Sequence, residues 1–222
     1  MNETYPDYKT YTKLYARFLK KDCGEIFEDI YLKDKIVLDL CCGSGRLSLE
    51  AIKRGAKIVY AMDEINQMIN PEVFKCQSIL YLNEKVYQFL KYGFWSHGIE
   101  ITNCYDVVTC QQAINYWFDK EHIELVYNSL KPGGVFIFNT FNTKPSKTPS
   151  IRTYVLDDIN YCEVSYLVDN MVHHFQSAEG LTPHFTSFKW ITSLEFFTIL
   201  QAYFHRICNY VDGNSTTYHC FK

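Results

Sequence analysis

Ile36-Val37-Leu38-Asp39-Leu40-Cys41-Cys42-Gly43-Ser44-Gly45-Arg46-Leu47-Ser48-Leu49-Glu50 reads as a buried strand, a tight glycine turn and the opening of a helix. The apolar strand carries one acid, Asp39, to the edge of the turn. Gly43 and Gly45 permit a sharp bend and, lacking side chains, let a ligand approach the main chain. The helix closes on Lys53-Arg54-Gly55, basic residues for its negative end and a glycine for a left-handed cap. A second short strand, Lys57 to Met62, then ends on Asp63-Glu64, where a carboxylate is placed to hold ribose hydroxyls. This order of elements predicts an α/β domain that binds a nucleotide cofactor.

Two common cofactor loops fail on detail. The dinucleotide fingerprint asks for a third glycine where Ser48 stands, and a phosphate-cradling P-loop asks for Gly-Lys-Ser/Thr, which does not follow. The segment resembles instead the first motif of class I S-adenosylmethionine-dependent methyltransferases, D-x-G-x-G-x-G, with Cys41 in place of the first glycine. That replacement predicts a less glycine-like backbone at Cys41. The resemblance implies that Asp39, Cys41, Gly43 and Gly45 form the cofactor loop and that Asp63 binds ribose, with Glu64 and Met68 as neighbours.

The likeness continues in order to about residue 140. Tyr105 to Cys110 reads as a strand followed by Gln111-Gln112-Ala113-Ile114-Asn115-Tyr116-Trp117. Asp119 caps a helix with apolar Ile123, Val126, Tyr127 and Leu130, which stops at Lys131-Pro132-Gly133-Gly134 before the strand Val135 to Asn139. Lys85 to Leu90 is read as the third strand. The family often places an acid shortly after that strand to face the adenine amino group, but Lys91-Tyr92-Gly93-Phe94-Trp95 offers none. Adenine is then left to stacking, with Phe94 as the candidate, or to backbone groups. Upstream, Tyr8, Tyr11, Tyr15 and Phe18 form a helical stripe, read as core packing or, through Tyr11 and Tyr15, as a cover for the cofactor.

After a Pro/Thr-rich loop at 140–150 the pattern changes to period two. Glu163–Asp169, Met171–Phe175 and Phe185–Trp190 read as antiparallel strands. Thr192-Ser193-Leu194-Glu195 is a capping box, and a terminal hairpin supplies the last two strands. The expected fold is a Rossmann-like, seven-stranded class I methyltransferase sheet whose last strand is antiparallel. Residues 1–140 and 191–222 form this core, and 141–190 form an inserted antiparallel β lid. Amine-directed small-molecule methyltransferases carry insertions of this kind.

Composition narrows the partners. The 222 residues carry a net charge of −3 without a basic run, which argues against nucleic acid as the main partner. Neither an apolar membrane span nor a signal peptide is evident, so a cytoplasmic location is expected. The nine cysteines are read as reduced thiols, and their spacing suggests no metal site. Aromatic residues make up 17% of the chain, consistent with a ring-walled pocket.

Methyl transfer from a sulfonium is an in-line displacement for which the protein chiefly orients the nucleophile and excludes water. The polar Gln111 falls where cofactor and acceptor meet. Tyr116, His173 and His184 are the candidate catalytic side chains, and Asn115, Tyr116, Asn139 and His173 the candidate acceptor contacts. The reading is methyl transfer to a small molecule, nitrogen preferred over oxygen. RNA or protein methylation and a catalytically silent scaffold are the alternatives, and homodimerisation is left open.

Overall fold

The structure is a computed structural model that describes residues 23–93, 101–156, 158–180 and 183–222. Tyr11, Tyr15 and Phe94 lie outside the described residues. The first half alternates strand and helix: β1 Ile36–Leu40, α1 Arg46–Lys53, β2 Ile58–Asp63, α2 Pro71–Lys75, β3 Ile79–Asn83, α3 Val86–Tyr92, β4 Tyr105–Gln111, α4 Lys120–Ser129 and β5 Leu130–Phe141. Four strands follow, β6 Ser150–Leu156, β7 Ile159–Val168, β8 Met171–Ala178 and β9 His184–Lys189, then α5 Ser193–Leu200, β10 Arg206–Asp212 and β11 Ser215–Phe221.

The main sheet has the order β10-β11-β5-β4-β1-β2-β3. Neighbours from β3 to β5 pair in parallel, and β11 is antiparallel to both β5 and β10. The expected seven-stranded topology is therefore present. Its central strands are apolar on both faces, as a doubly covered parallel sheet requires. Leu38, Leu40, Val108, Phe136, Phe138 and Tyr218 pack with Phe196 and Leu200 of α5 on one side. Val37, Val59, Ala61 and Ile137 pack with Leu47 and Ala51 of α1 on the other.

The helix signals act locally, as read. Asp119 accepts from the His122 N–H at 2.9 Å, and Thr192 and Glu195 bond reciprocally as a capping box. The third strand is a correction. It is Ile79–Asn83, and Val86–Tyr92 is a helix burying Phe89 and Leu90. The inserted sheet, order β6-β7-β8-β9, has four strands rather than three; β6 occupies its edge.

Candidate functional site

The carboxyl ends of β1, β2, β3 and β4 converge on the glycine turn, the edge at which open α/β sheets bind ligands. Cys42 N–H donates to the Met62 carbonyl and Gly45 N–H to the Cys42 carbonyl, both at 2.8 Å. Gly45 has φ +74°, and a Cβ there would lie 2.5 Å from Val73 Cγ2, so packing as well as backbone excludes a side chain. Cys41 corrects its expectation. Its φ is 53°, the left-handed backbone a glycine would supply, held by a residue for which that region costs roughly 1–2 kcal/mol. Gln112, at φ 57°, repeats this beyond β4. Strain of this sort persists where the surroundings impose it, and it clusters at working sites.

Two buried acids flank the turn. Asp39 accepts from Ser48 Oγ at 2.6 Å and Thr109 Oγ1 at 2.9 Å, bonds that join α1 to β4. Burial outweighs those bonds and pushes its carboxyl up to about 6. Asp63 accepts from the Gly43 and Ile65 N–H groups at 2.8 and 2.9 Å, and burial raises its carboxyl too. Among the described residues neither acid has a cationic partner. Met68 is buried beside Gly43, whose Cβ would stand 3.7 Å from its Cε, and Glu64 is exposed.

Next to these acids a cavity of about 290 Å³ is lined by Glu64, Ile65, Asn83, Glu84, Lys85 and Gln88 among others. Glu84 N–H and Asn83 Nδ2 both donate to the Asp63 carbonyl, tying the ends of β2 and β3 together. Glu84 is thus the acid directly after the true third strand. It escaped the sequence reading because that strand was placed six residues too late; a strand ending at Asn83 would have pointed to it. A smaller crevice beneath the turn is lined by Asp39, Cys41, Gly43, Ser44 and Gln111.

Beyond β4 the site meets the inserted sheet. Asn139 Oδ1 accepts from Gln112 N–H at 2.7 Å and holds the strained residue in place. Asn115 is buried with both ends of its amide engaged, accepting from Thr140 Oγ1 at 2.6 Å and donating to the Lys189 carbonyl at 3.1 Å. Its side chain clamps β5 to β9. Tyr116 packs edge-on against Phe188 at 5.5 Å, and its hydroxyl interacts with Thr186; desolvation raises its phenol.

Strand alternation then sorts the histidines. Thr186 is paired with His174, which is paired with Ser165; the next row of the same face joins His184, Gln176, Glu163 and Arg152. This is the face on which Tyr116 meets Thr186. His174 Nδ1 and Ser165 Oγ lie 2.7 Å apart, and Gln176 Nε2 donates to Glu163 at 2.8 Å. Burial, with His174 adding to it, pulls His184 down to about 4, and burial lowers His174 as well. His173 is on the opposite face, stacked between Tyr166 and Phe185 at 5.1 and 5.9 Å. Of the adjacent pair, His174 is on the Tyr116 face and His173 is on the other.

A family model described as a methyltransferase domain matches residues 32–198, three quarters of the chain. The chain belongs to the methyltransferase domain family. The match runs from before the glycine turn through the inserted sheet to α5. Ribosomal protein L11 methyltransferase of Thermoanaerobacter sp. (strain X514) is 43% identical over 68 residues, 25% of this chain and 22% of that protein. Ubiquinone biosynthesis O-methyltransferase of Coxiella burnetii (strain Dugway 5J108-111) is 33% identical over 122 residues, 53% and 48% respectively. The chain thus spans less than half the length of these curated relatives. In fold it is similar to an S-adenosylmethionine-dependent methyltransferase from Clostridium acetobutylicum ATCC 824, at 20% identity, TM-score 0.65, and 97% and 92% coverage. It is also similar to the amino pentose methyltransferase CalS10 of Micromonospora echinaspora, at 12% identity, TM-score 0.70, and 96% and 97% coverage.

Methyltransferase domains of this class take their methyl group from S-adenosylmethionine, and the residues present fit it. Gly43 and Gly45 leave the turn bare, while Asp39 and Asp63 give a cationic ligand two buried anions without a competing protein cation. Glu64, Asn83 and Glu84 line the cavity with hydrogen-bond acceptors, the groups that ribose hydroxyls and an exocyclic amine would need. Among the described residues, no group of three or more His, Cys, Asp or Glu side chains is arranged to hold a metal, and no helix is long and apolar enough to cross a membrane.

Proposed function

We propose that this methyltransferase domain moves the methyl group of S-adenosylmethionine to a polar small molecule beneath the inserted sheet, at an amine nitrogen. The observation that carries the reading is the pair of buried carboxylates, Asp39 and Asp63, facing the glycine turn without a cation. A sulfonium and an α-ammonium on one ligand meet that need. The bound cofactor supplies an electrophilic methyl carbon, and the chain supplies position and dryness.

On this reading Asp39 faces the sulfonium and α-ammonium end of the ligand, Glu64 and Asp63 take its ribose hydroxyls, and Glu84 and Asn83 accept from adenine. Tyr116 stands between the turn and the lid, with Cys41 on one side and Thr186 on the other. The acceptor lies against Tyr116 and the polar rows that carry His174, Thr186, Gln176 and Glu163. A neutral amine would need no side-chain base during attack, and the surplus proton would leave the methylated nitrogen for solvent afterwards. His174, neutral at pH 7 through burial, offers an acceptor or donor for orientation there. An alcohol needs a base during attack, and the lowered histidines are poor ones, which favours nitrogen. The sugar N-methyltransferase KedS8 of Streptoalloteichus sp. ATCC 53650 shares the fold at 12% identity, with TM-score 0.65.

Calorimetry with S-adenosylhomocysteine tests the cofactor half, and transfer of labelled methyl from S-adenosylmethionine to matched amine and hydroxyl acceptors tests the other. Micromolar binding with transfer to amines is the expected result. Absence of binding at millimolar ligand removes the enzyme reading in favour of a scaffold. Binding with transfer only to hydroxyls, or only to ribosomal protein or RNA, overturns the acceptor assignment.

A further inference from the structure

Among the described residues, Glu163 is the one acid that the four strands of the inserted sheet carry on their inner face. Three rows of side chains cross that face. Ser165, His174 and Thr186 make the row that Tyr116 meets; Arg152, Glu163, Gln176 and His184 make the next, and Tyr154, Tyr161 and Ala178 the one beyond. Glu163 is partly buried. Gln176 Nε2 donates to its Oε1 at 2.8 Å, and the Tyr154 hydroxyl bonds it as well. Burial, followed by this negative neighbour, pushes the Tyr154 phenol up. A carboxylate drawn partly out of water and met by neutral donors favours a cation beside it. Arg152, level with Glu163 on the edge strand β6, is exposed and forms no ion pair among the described residues.

Gln176 shows a second demand of the same kind. A carboxylate only accepts, so the amide turns its NH2 group to Glu163 and its carbonyl oxygen elsewhere. That oxygen is buried and meets no donor among the described residues. In the row beyond, the Tyr154 and Tyr161 rings stack 5.3 Å apart with an interplanar angle of 7°. The faces of such rings attract organic cations. Carboxylate, carbonyl oxygen and rings all suit one guest, a positively charged N–H donor.

We propose that Glu163 and Gln176 form a subsite for an alkylammonium group, and that the acceptor is a diamine. Its reacting nitrogen lies at Tyr116 and its second nitrogen, protonated, binds at Glu163. This rests on the amine reading above and narrows it. Thr186 on β9 and Glu163 on β7 are two strands and two residues apart, which is about 12 Å at about 4.8 Å per strand and about 3.3 Å per residue. Extended octamethylenediamine matches that span. Charge-assisted bonds at the far end fix the reach of the chain and so aim the near nitrogen at the methyl group. A carboxylate at the far end would meet Glu163 as a like charge and be turned away.

The test titrates octamethylenediamine by calorimetry into the protein saturated with S-adenosylhomocysteine. Glu163→Gln is expected to weaken diamine binding roughly tenfold, with the thermal transition as the check on folding. No diamine binding at millimolar concentration, or equal binding by the two proteins, overturns the proposal. So does tighter binding of ω-aminooctanoate than of the diamine, which would hand the row to Arg152. That comparison uses the wild-type chain and decides by itself should the variant misfold. With labelled S-adenosylmethionine, kcat/KM for the diamine is expected to exceed that for octylamine roughly tenfold, and Glu163→Gln to bring the two level. Methyl transfer to both amines without that preference overturns the subsite and spares the amine reading. Transfer to hydroxyls alone, with diamine binding still weakened by Glu163→Gln, overturns the amine reading and leaves the ammonium subsite standing.

Discussion

Asp39→Asn separates what the fold wants from what the site wants. The carboxyl has an ordinary value of 3.8 and rises to about 6 in the folded chain, chiefly through desolvation. With the folded value above the unfolded one, the native state holds this proton more tightly than the unfolded state. The stability it contributes is full below about pH 4, declines as pH rises, and is gone above about 6. At roughly 1.4 kcal/mol per unit, ionised Asp39 costs the empty protein about 3 kcal/mol at neutral pH. Asparagine has the same shape, and the Ser48 and Thr109 hydroxyls can accept as well as donate, so both bonds survive the exchange. Denaturant unfolding without cofactor is therefore expected to find the variant more stable, with the gap widening by about 1 kcal/mol from pH 5 to pH 8. The same variant is expected to lose more affinity for S-adenosylmethionine than for S-adenosylhomocysteine, which lacks the sulfonium charge. A gap that does not change with pH would refute the argument that this acid is held ionised at the fold's expense.

Three further substitutions address the turn. Cys41→Gly removes the left-handed strain and is expected to stabilise the chain by about 1 kcal/mol, after the greater freedom of glycine when unfolded is set against it; a thermal melt checks this. Gly45→Ala drives a methyl to 2.5 Å from Val73 in a backbone that already opposes it, so a loss of about 2 kcal/mol or more is expected by urea unfolding. Asp63→Ala leaves the Gly43 and Ile65 N–H groups and the ribose without their acceptor and is expected to weaken S-adenosylhomocysteine binding by roughly 1–3 kcal/mol in calorimetry.

The parts of this molecule legible in its sequence are those set by neighbours along the chain. The glycine turn, the Asp119 cap and the Thr192–Glu195 box are local bonds, and each stands where its residues are. The third strand was not legible because Ile79–Asn83 and the run after it are both short and largely apolar. Lys85 to Leu90 is a short, largely apolar run in which only Phe89 and Leu90 are buried, and such a run does not separate a short strand from a buried helical turn. That displacement hid Glu84. β6 was missed because an edge strand with exposed Ile151 and Val155 shows no inward half to contrast with an outward one. Alternation indicated that His173 and His174 face apart, but which of them looks at Tyr116 depends on how the whole sheet is laid over the core.

The Asn115 amide fastens Thr140 of the core to Lys189 of the inserted sheet, and Tyr116 beside it braces Phe188. The roof is thus bolted along one eave, and raising it like a trapdoor would break a buried hydrogen-bonded clamp at every turnover. A route past the side walls is the one that leaves this clamp intact.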